Sequence, residues 1–245
     1  MAMETIGKSQ KKKNAVATVL MIILFTILAI LIILPIYAIF MASFHPGNFL
    51  LQYGLNLDPD FANMTLSNYV LLFTGDHDYW IWFGNSLLLT VLTVVLTLII
   101  SSFVAYGFAA YDFKGKNFFF VIVLIILSIP FEVIMLPLYK QISTWGMMDS
   151  YVAVVLPFLA HASTIFFFRQ YLLGLPKSLI EAGRIDGATE YGIFFKLIVP
   201  IMKPAFSAMA ILNGMNAWNN YMWPLLVIRS SEKYTLTIGL NTLIN

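Results

Sequence analysis

The chain has 245 residues, of which 60% are hydrophobic and 11% charged, with a mean hydropathy of +0.85. A soluble domain of this length could not keep so much apolar surface away from water, so the composition excludes one and points to a chain that lives in a bilayer. The formal net charge of +2 is too small and too scattered for a nucleic-acid partner, and the absence of cysteine excludes disulfides, thiolate metal sites and cysteine nucleophiles.

A bilayer-crossing helix needs about 20 mostly apolar residues, and five segments qualify: 15–41, 85–110, 118–138, 150–168 and 205–222. The predicted fold is therefore an all-α, multi-span integral membrane protein with its body over 15–228, preceded by a short segment 1–14. The first segment continues through Pro35 and Tyr37, past the length of a signal-peptide apolar region, and is expected to stay as an anchor. Lys8, Lys11, Lys12 and Lys13 precede it, Lys114 and Lys116 follow the second segment, and Arg169, Lys177, Arg184, Lys196 and Lys203 lie in the loop 169–203. The opposite loops are 44–84, with Asp58, Asp60, Asp76 and Asp78 but no Lys or Arg, and 139–149, with only Lys140. Eleven of the fourteen Lys and Arg residues fall on one side. By the positive-inside rule the N-terminus and 169–203 are cytosolic, and 229–245 is an outer tail.

Tyr79, Trp80, Trp82, Trp218 and Trp223 fall at predicted outer segment ends, where an interfacial aromatic belt is expected. Glu132 lies inside the third segment beside Pro130, and an intramembrane carboxylate is a candidate for the translocation path because its burial is costly. It stands ~21 Å along the helix from Phe118, which also brings it towards the outer interface. His161 in the fourth segment reads as a neutral histidine bonded to a neighbouring helix. His45, His77 and His161 are far apart in sequence and form no catalytic grouping, so the chain is not expected to be an enzyme. Gly115-Lys116 is followed by Asn117 and lacks the upstream glycine of a phosphate-cradling loop, so ATP hydrolysis would belong to another polypeptide.

In the loop 169–203, Pro176 ends one helix and Ser178-Leu179-Ile180-Glu181 has the form of a capping box that starts the next near Leu179. Glu181 and Arg184, three apart, share a face. Leu179, Ile180 and Ile185 supply apolar contacts, and Gly187 permits a left-handed turn into a second helix. A helix-turn-helix with mixed faces suits a groove on a soluble partner, although an amphipathic helix resting at the lipid interface has the same periodicity.

The full spacing is Glu181-Ala182-Gly183, three residues, Gly187, nine residues, Leu197, one residue, Val199-Pro200. It resembles the EAA signature of ABC importer permeases, from which Gly183, Leu197 and Val199 are small or apolar departures. Asn85-Ser86, Ala105-Tyr106-Gly107-Phe108-Ala109, Ile129-Pro130, Leu136-Pro137-Leu138, Phe168-Arg169-Gln170 and the run from Trp218 to Leu225 are similar to the carbohydrate-uptake branch of those permeases, the group of the second permease subunit of maltose-type importers. In the last run Asn220 stands where that branch has an acidic residue. The likeness covers about 68–240.

The resemblance implies the type I ABC importer permease fold in the bacterial cytoplasmic (inner) membrane. The implied partners are an ABC ATPase dimer, a second homologous permease subunit and an extracytoplasmic sugar-binding protein, with lipid around them. ATP and Mg would be used by the ATPase, and this chain would bind no cofactor. The docking segment would comprise Ser178, Glu181, Ala182, Gly183, Arg184, Asp186, Gly187 and Pro200, with Glu181 paired to a basic residue of the ATPase. Permeases of this type continue into one more span, so 229–245 is expected to be a truncated or naturally shortened tail. The implied cargo is a sugar, an oligosaccharide by association with the branch; a glycerol phosphate ester or an amino acid is the alternative, and a stand-alone secondary transporter a further one.

Asn213, Asn216 and Asn220 recur at spacings of three and four and so line one stripe of the fifth segment, with Asn213 ~14 Å into a core about 30 Å thick. Either the stripe faces a polar passage where amides meet sugar hydroxyls, or it bonds neighbouring helices at roughly 0.6 to 2 kcal/mol per contact.

Overall fold

The computed structural model describes residues 2–47, 61–75 and 77–243, with side chains described for these except at 2–16 and 62. The outer-loop residues Asp58, Asp60 and Asp76 and the side chains of Lys8, Lys11, Lys12 and Lys13 lie outside the described residues. Every regular element among the described residues is helical. The chain divides into two compact units, Met1–His77 and Asp78–Asn245.

In the first unit, α1 (Ala2–Ser43) contains an apolar run of 27 residues, Ala17–Ser43, and runs unbroken through Pro35. Its side chains from 17 to 40 are exposed all round apart from Ala38, as expected of a helix whose solvent is lipid. The end of α1 is tied to α2 (Ser67–Thr74): the Asn68 amide donates to the carbonyls of Ser43 and His45 at 3.0 and 2.6 Å.

The second unit is organised around α3 (Tyr79–Ala110), an unbroken helix of 32 residues. One face of α3 is a stripe of small and hydroxyl-bearing residues at spacings of three and four: Ser86, Leu89, Thr93, Thr97, Ser101 and Ala105 are all buried. The opposite face, Leu87, Leu88, Val91, Val95 and Ile99, is exposed. Small residues let helix backbones approach closely inside a membrane, and α7 (Ala162–Leu173) and α11 (Lys203–Trp218) both pack along this stripe.

The remaining crossings are broken. α4 (Lys116–Leu127) and α5 (Phe131–Thr144) meet at 101°, so the third predicted segment is not a straight span. Pro130 lacks an amide hydrogen and biases Ile129 away from helical geometry, which ends α4 and starts α5. α6 (Tyr151–Val155) continues as a 3-10 turn to Phe158 and bends by 41° into α7. The segment 190–201 meets α11 at 75°. Five segments are recovered only when each bent pair counts as one. Non-helical backbone at membrane depth needs internal partners: Thr97 Oγ1 donates to the Phe158 carbonyl at 2.8 Å, and Trp223 Nε1 donates to the Ala153 carbonyl at 3.0 Å.

Two expectations change. Trp223, in α12 (Met222–Val227), is fully buried in an apolar cluster with Ile142, Ala153 and Val227, and Trp82 is also buried, so neither belongs to an interfacial belt; Trp80 remains exposed. Within the segment expected to be an outer tail, residues 229–243 are packed onto the second unit. Trp82 Nε1 donates to the Ser231 carbonyl at 3.2 Å, Asn85 Nδ2 to the carbonyls of Glu232 and Tyr234 at 2.8 and 3.0 Å, and the Leu236 amide to Ser86 Oγ at 2.8 Å. Asp149, held at φ +58 in the turn after α5, accepts from the amides of Arg229 and Ser230 at 2.9 and 3.0 Å and from Lys233 Nζ at 2.9 Å. α13 (Leu236–Thr242) then rests on α3 where Gly239 leaves no room for a Cβ against the Trp82 ring.

Trp223→Ala should lower stability by about 3–5 kcal/mol, the range for deleting a buried aromatic, against a much smaller loss for Trp80→Ala. Chemical unfolding of the detergent-solubilised chain measures both, and equal losses would place Trp223 outside the core.

Candidate coupling and translocation site

The turn carried by 178–200 is built by local geometry. α8 (Ser178–Ile185) begins differently from the capping-box expectation: Lys177, with helical φ −58 and ψ −29, is the boundary residue, and no side chain caps it. Ser178 is therefore already inside the helix and its hydroxyl is not the cap. The carbonyl of Lys177 takes the amides of Ile180 and Glu181 instead, at 3.0 and 3.2 Å. At the other end Gly187 has φ +76, its amide donates to the Arg184 carbonyl at 3.1 Å, and the Ala188 amide donates to Gly183 at 3.0 Å. This is the paired closure of a Schellman motif, which needs a left-handed residue at the position of Gly187. The side-chain cap falls at Thr189, which accepts from the Gly192 amide at 3.1 Å and starts α9 (Glu190–Ile193).

Gly183 is buried on the inner face of α8, where a Cβ would stand 2.9 Å from Ile193 Cγ1 and 3.0 Å from Leu197 Cδ1. The glycine found there in place of alanine thus sets how closely α8 lies on the π-helical turn Phe194–Ile198. Ser178, Glu181, Ala182, Arg184, Asp186 and Gly187 are exposed, and Ile185 stands 86% exposed among them. Pro200, also exposed, opens the short α10 (Val199–Ile201).

Arg184 does not pair with Glu181. Its Nε and Nη2 donate to Glu190 Oε1 and Oε2 at 2.6 and 3.2 Å, and the Tyr111 hydroxyl donates to the same Oε2 at 2.6 Å. Arg184 and Tyr111 hold the Glu190 carboxyl below the ordinary carboxylate range. Burial, then the bond to Glu190, pushes the Tyr111 phenol up to about 12. A depressed carboxyl keeps its partners above the ordinary carboxylate range and loses them only as pH falls through the lowered value, so the group is intact at neutral pH. Glu181 makes no side-chain hydrogen bond or ion pair among the described residues.

The three asparagines converge on a cavity of about 150 Å³. α11 contributes Asn213 and Asn216, the following turn Asn220, α3 Ser86, Thr93 and Thr97, and the break before α7 His161. Asn213 is buried and its amide donates to Thr164 Oγ1 at 3.1 Å, so it serves helix packing and the cavity wall together. The side-chain amides of Asn216 and Asn220 make no hydrogen bond among the described residues. Among the described residues no Lys, Arg, Asp or Glu lines this cavity. Glu132 is not among its walls: it sits exposed in the first turn of α5, where a carboxylate suits the positive end of a helix. His161 Nδ1 bonds Ser163 Oγ at 2.8 Å, within its own segment and not across to a neighbouring helix. Glu190 and Tyr111 escaped sequence reasoning; the one available signal was a carboxylate six residues after Arg184, just beyond the Gly187 turn.

Residues 98–244 match the family described as binding-protein-dependent transport system inner membrane component. The chain belongs to that family. It is 48% identical over 235 residues to the arabinooligosaccharides transport system permease protein AraQ of Halalkalibacterium halodurans, covering 96% of this chain and 84% of that one. It is 51% identical over 221 residues to the AraQ protein of Bacillus subtilis, covering 90% and 79%. Its fold, that of a type I ABC importer permease, aligns at a TM-score of 0.83 and 26% identity with a chain from the crystal structure of a bacterial ABC transporter involved in the import of the acidic polysaccharide alginate, over 95% of this chain and 81% of that one. As an ABC importer permease the chain is an inner-membrane component.

Overpacking at a close helix contact costs about 1–3 kcal/mol, so Gly183→Leu should loosen α8 and speed tryptic cleavage after Arg184 by about tenfold or more. Gel-resolved proteolysis of the solubilised chain reads this, and an unchanged rate would show that α8 does not depend on that contact.

Proposed function

We propose that this permease carries an uncharged sugar, an oligosaccharide of the arabinooligosaccharide class, through a path that includes the asparagine-lined cavity. It works with a second homologous permease, a dimeric ATPase and an extracytoplasmic sugar-binding protein. The N-terminus and 178–200 face the cytosol. The ATPase grips Ser178, Glu181, Ala182, Asp186 and Gly187, with Pro200 closing the segment. ATP and Mg belong to that partner, and this chain binds no cofactor and catalyses no reaction.

The observation that carries the docking reading is Glu181, exposed and unpartnered on a turn whose geometry is fixed by Gly183 and Gly187. A carboxylate held on a rigid projection is available to a basic groove, and the exposed Leu179 and Ile185 beside it supply apolar surface that such a groove would cover. The cargo reading rests on the cavity wall. Its amides and hydroxyls can bond sugar hydroxyls, Leu89, Val154 and Phe158 offer apolar contact beside them, and a phosphate ester would lie there with no compensating charge from the described residues. Both bacterial relatives compared above are named for arabinooligosaccharides.

Glu181→Lys should abolish co-purification of the ATPase while the chain still inserts, and retained association would remove Glu181 from the interface. In the same assay Asn216→Leu and Asn220→Leu should leave association intact and lower uptake of labelled arabinotriose by about tenfold each, as loss of a polar contact of 1–2 kcal/mol implies. Uptake unchanged in both variants would assign the stripe to helix packing alone.

A further inference from the structure

Glu190 joins three elements at one carboxylate. It opens α9, takes two bonds from Arg184 of α8, and takes one from Tyr111, the residue that closes α3. The same contact continues below the carboxylate as an apolar seam. Phe194 stacks on Phe103 of α3 with ring centroids 4.5 Å apart and an interplanar angle of 24°, and its ring lies 5.2 Å from that of Tyr106. We propose that Glu190, Arg184 and Tyr111 form a positioning joint that makes the docking turn and α3 one mechanical body, so that a push on the turn reaches the cavity wall through α3.

Two routes lead from the docking turn towards the cavity, and they differ in stiffness. The covalent route runs through the π-helical turn Phe194–Ile198 and α10 into α11, across a 75° bend. Bends and π turns absorb displacement. The route through Glu190 enters α3, which runs 32 residues without a break and carries Ser86, Thr93 and Thr97 of the cavity wall. A continuous helix offers fewer places to bend than the interrupted route.

The joint is poorly explained as a stabiliser of the fold. The side chains of Arg184 and Glu190 are 40% and 41% exposed, and exposed ion pairs add little to stability. Its geometry is nevertheless over-determined: Gly187 sets the turn, Thr189 caps α9, and the two-pronged guanidinium fixes the carboxylate plane. A carboxylate plane fixed from three elements is what a force-bearing contact requires.

The inference rests on the reading of 178–200 as the ATPase-docking segment, and one experiment separates the two. The chain lacks cysteine, so spin labels can be placed by Tyr191→Cys and Val91→Cys, both exposed, in the assembled complex with its ATPase. Their separation is measured by pulsed electron paramagnetic resonance without nucleotide and with ATP trapped by vanadate. With the joint intact the distance should change by less than about 2 Å, the scale of small helix adjustments, whereas Glu190→Ala and Tyr111→Phe should shift or broaden it by about 5 Å. The charge swap Arg184→Glu with Glu190→Arg should restore the narrow distribution. A nucleotide-dependent distance in the unmodified joint, or variants indistinguishable from it, would overturn the joint. An ATPase that fails to co-purify with the unmodified chain would instead overturn the docking reading on which it depends.

Discussion

Inside a bilayer polar groups must be satisfied within the protein, and the buried stripe on α3 is where this chain gathers them: Ser86 and Thr97 find partners there, while Ser101 Oγ has none among the described residues. Ser86, Thr93, Thr97 and Ser101 on one face, with Val91, Val95 and Ile99 on the other, make a helix that is apolar outside and polar within. Single interhelical hydrogen bonds in membranes average only about 0.6 kcal/mol. The stripe therefore acts less by bond strength than by size: small side chains admit α7 and α11 to close range, and their hydroxyls serve backbone groups left open in the neighbouring segments. Thr97 reaching the Phe158 carbonyl is one such case, and Ser86 receiving the Leu236 amide is another.

The broken crossings follow from the same constraint. A helix interrupted by proline exposes carbonyls that lipid cannot satisfy, and at the break around Pro157 the Phe158 carbonyl is taken by Thr97 of α3. What remains beside that contact is a cavity where hydroxyls and amides share the wall with His161 and apolar side chains such as Leu89, Val154 and Phe158. The polar interior that holds the bundle together and the polar passage proposed for a sugar are thus one surface, and Asn213 takes part in both. At one end of α3 the chain folds back as α12 and α13 around Trp82, Asn85 and Asp149. At the other end Tyr111 reaches the docking turn.

Much of this was legible in the sequence where a local rule acts alone. Gly187 was expected to hold a left-handed turn and does, because that requirement is set by its own backbone. Asn213 and Asn216 were visible as a stripe from their spacing, since α11 is regular there, whereas Asn220 reaches the cavity from the turn beyond the helix end. The capping box was misplaced because Lys177 already has helical backbone, which moves Ser178 inside α8. Trp223 was read as interfacial from its distance to a span end; its burial depends on α6 folding back over it, a contact between residues 70 positions apart. The packed 229–243 segment is too short and too polar to resemble a span, and Asn85 fixes it through backbone carbonyls that carry no sequence signal. Glu190 was hidden for a similar reason: its partners lie 6 and 79 positions away, on two different helices.

The account stands on the division of α3 into a wet face and a lipid face. Single cysteines in place of Thr93 and Val91, introduced into a chain that has none, can be exposed to a membrane-impermeant maleimide in the assembled transporter. Reaction at position 93, slowed by the transported sugar, with no reaction at position 91, is the predicted outcome; equal or inverted reactivity at the two positions would contradict the arrangement from which everything else is argued.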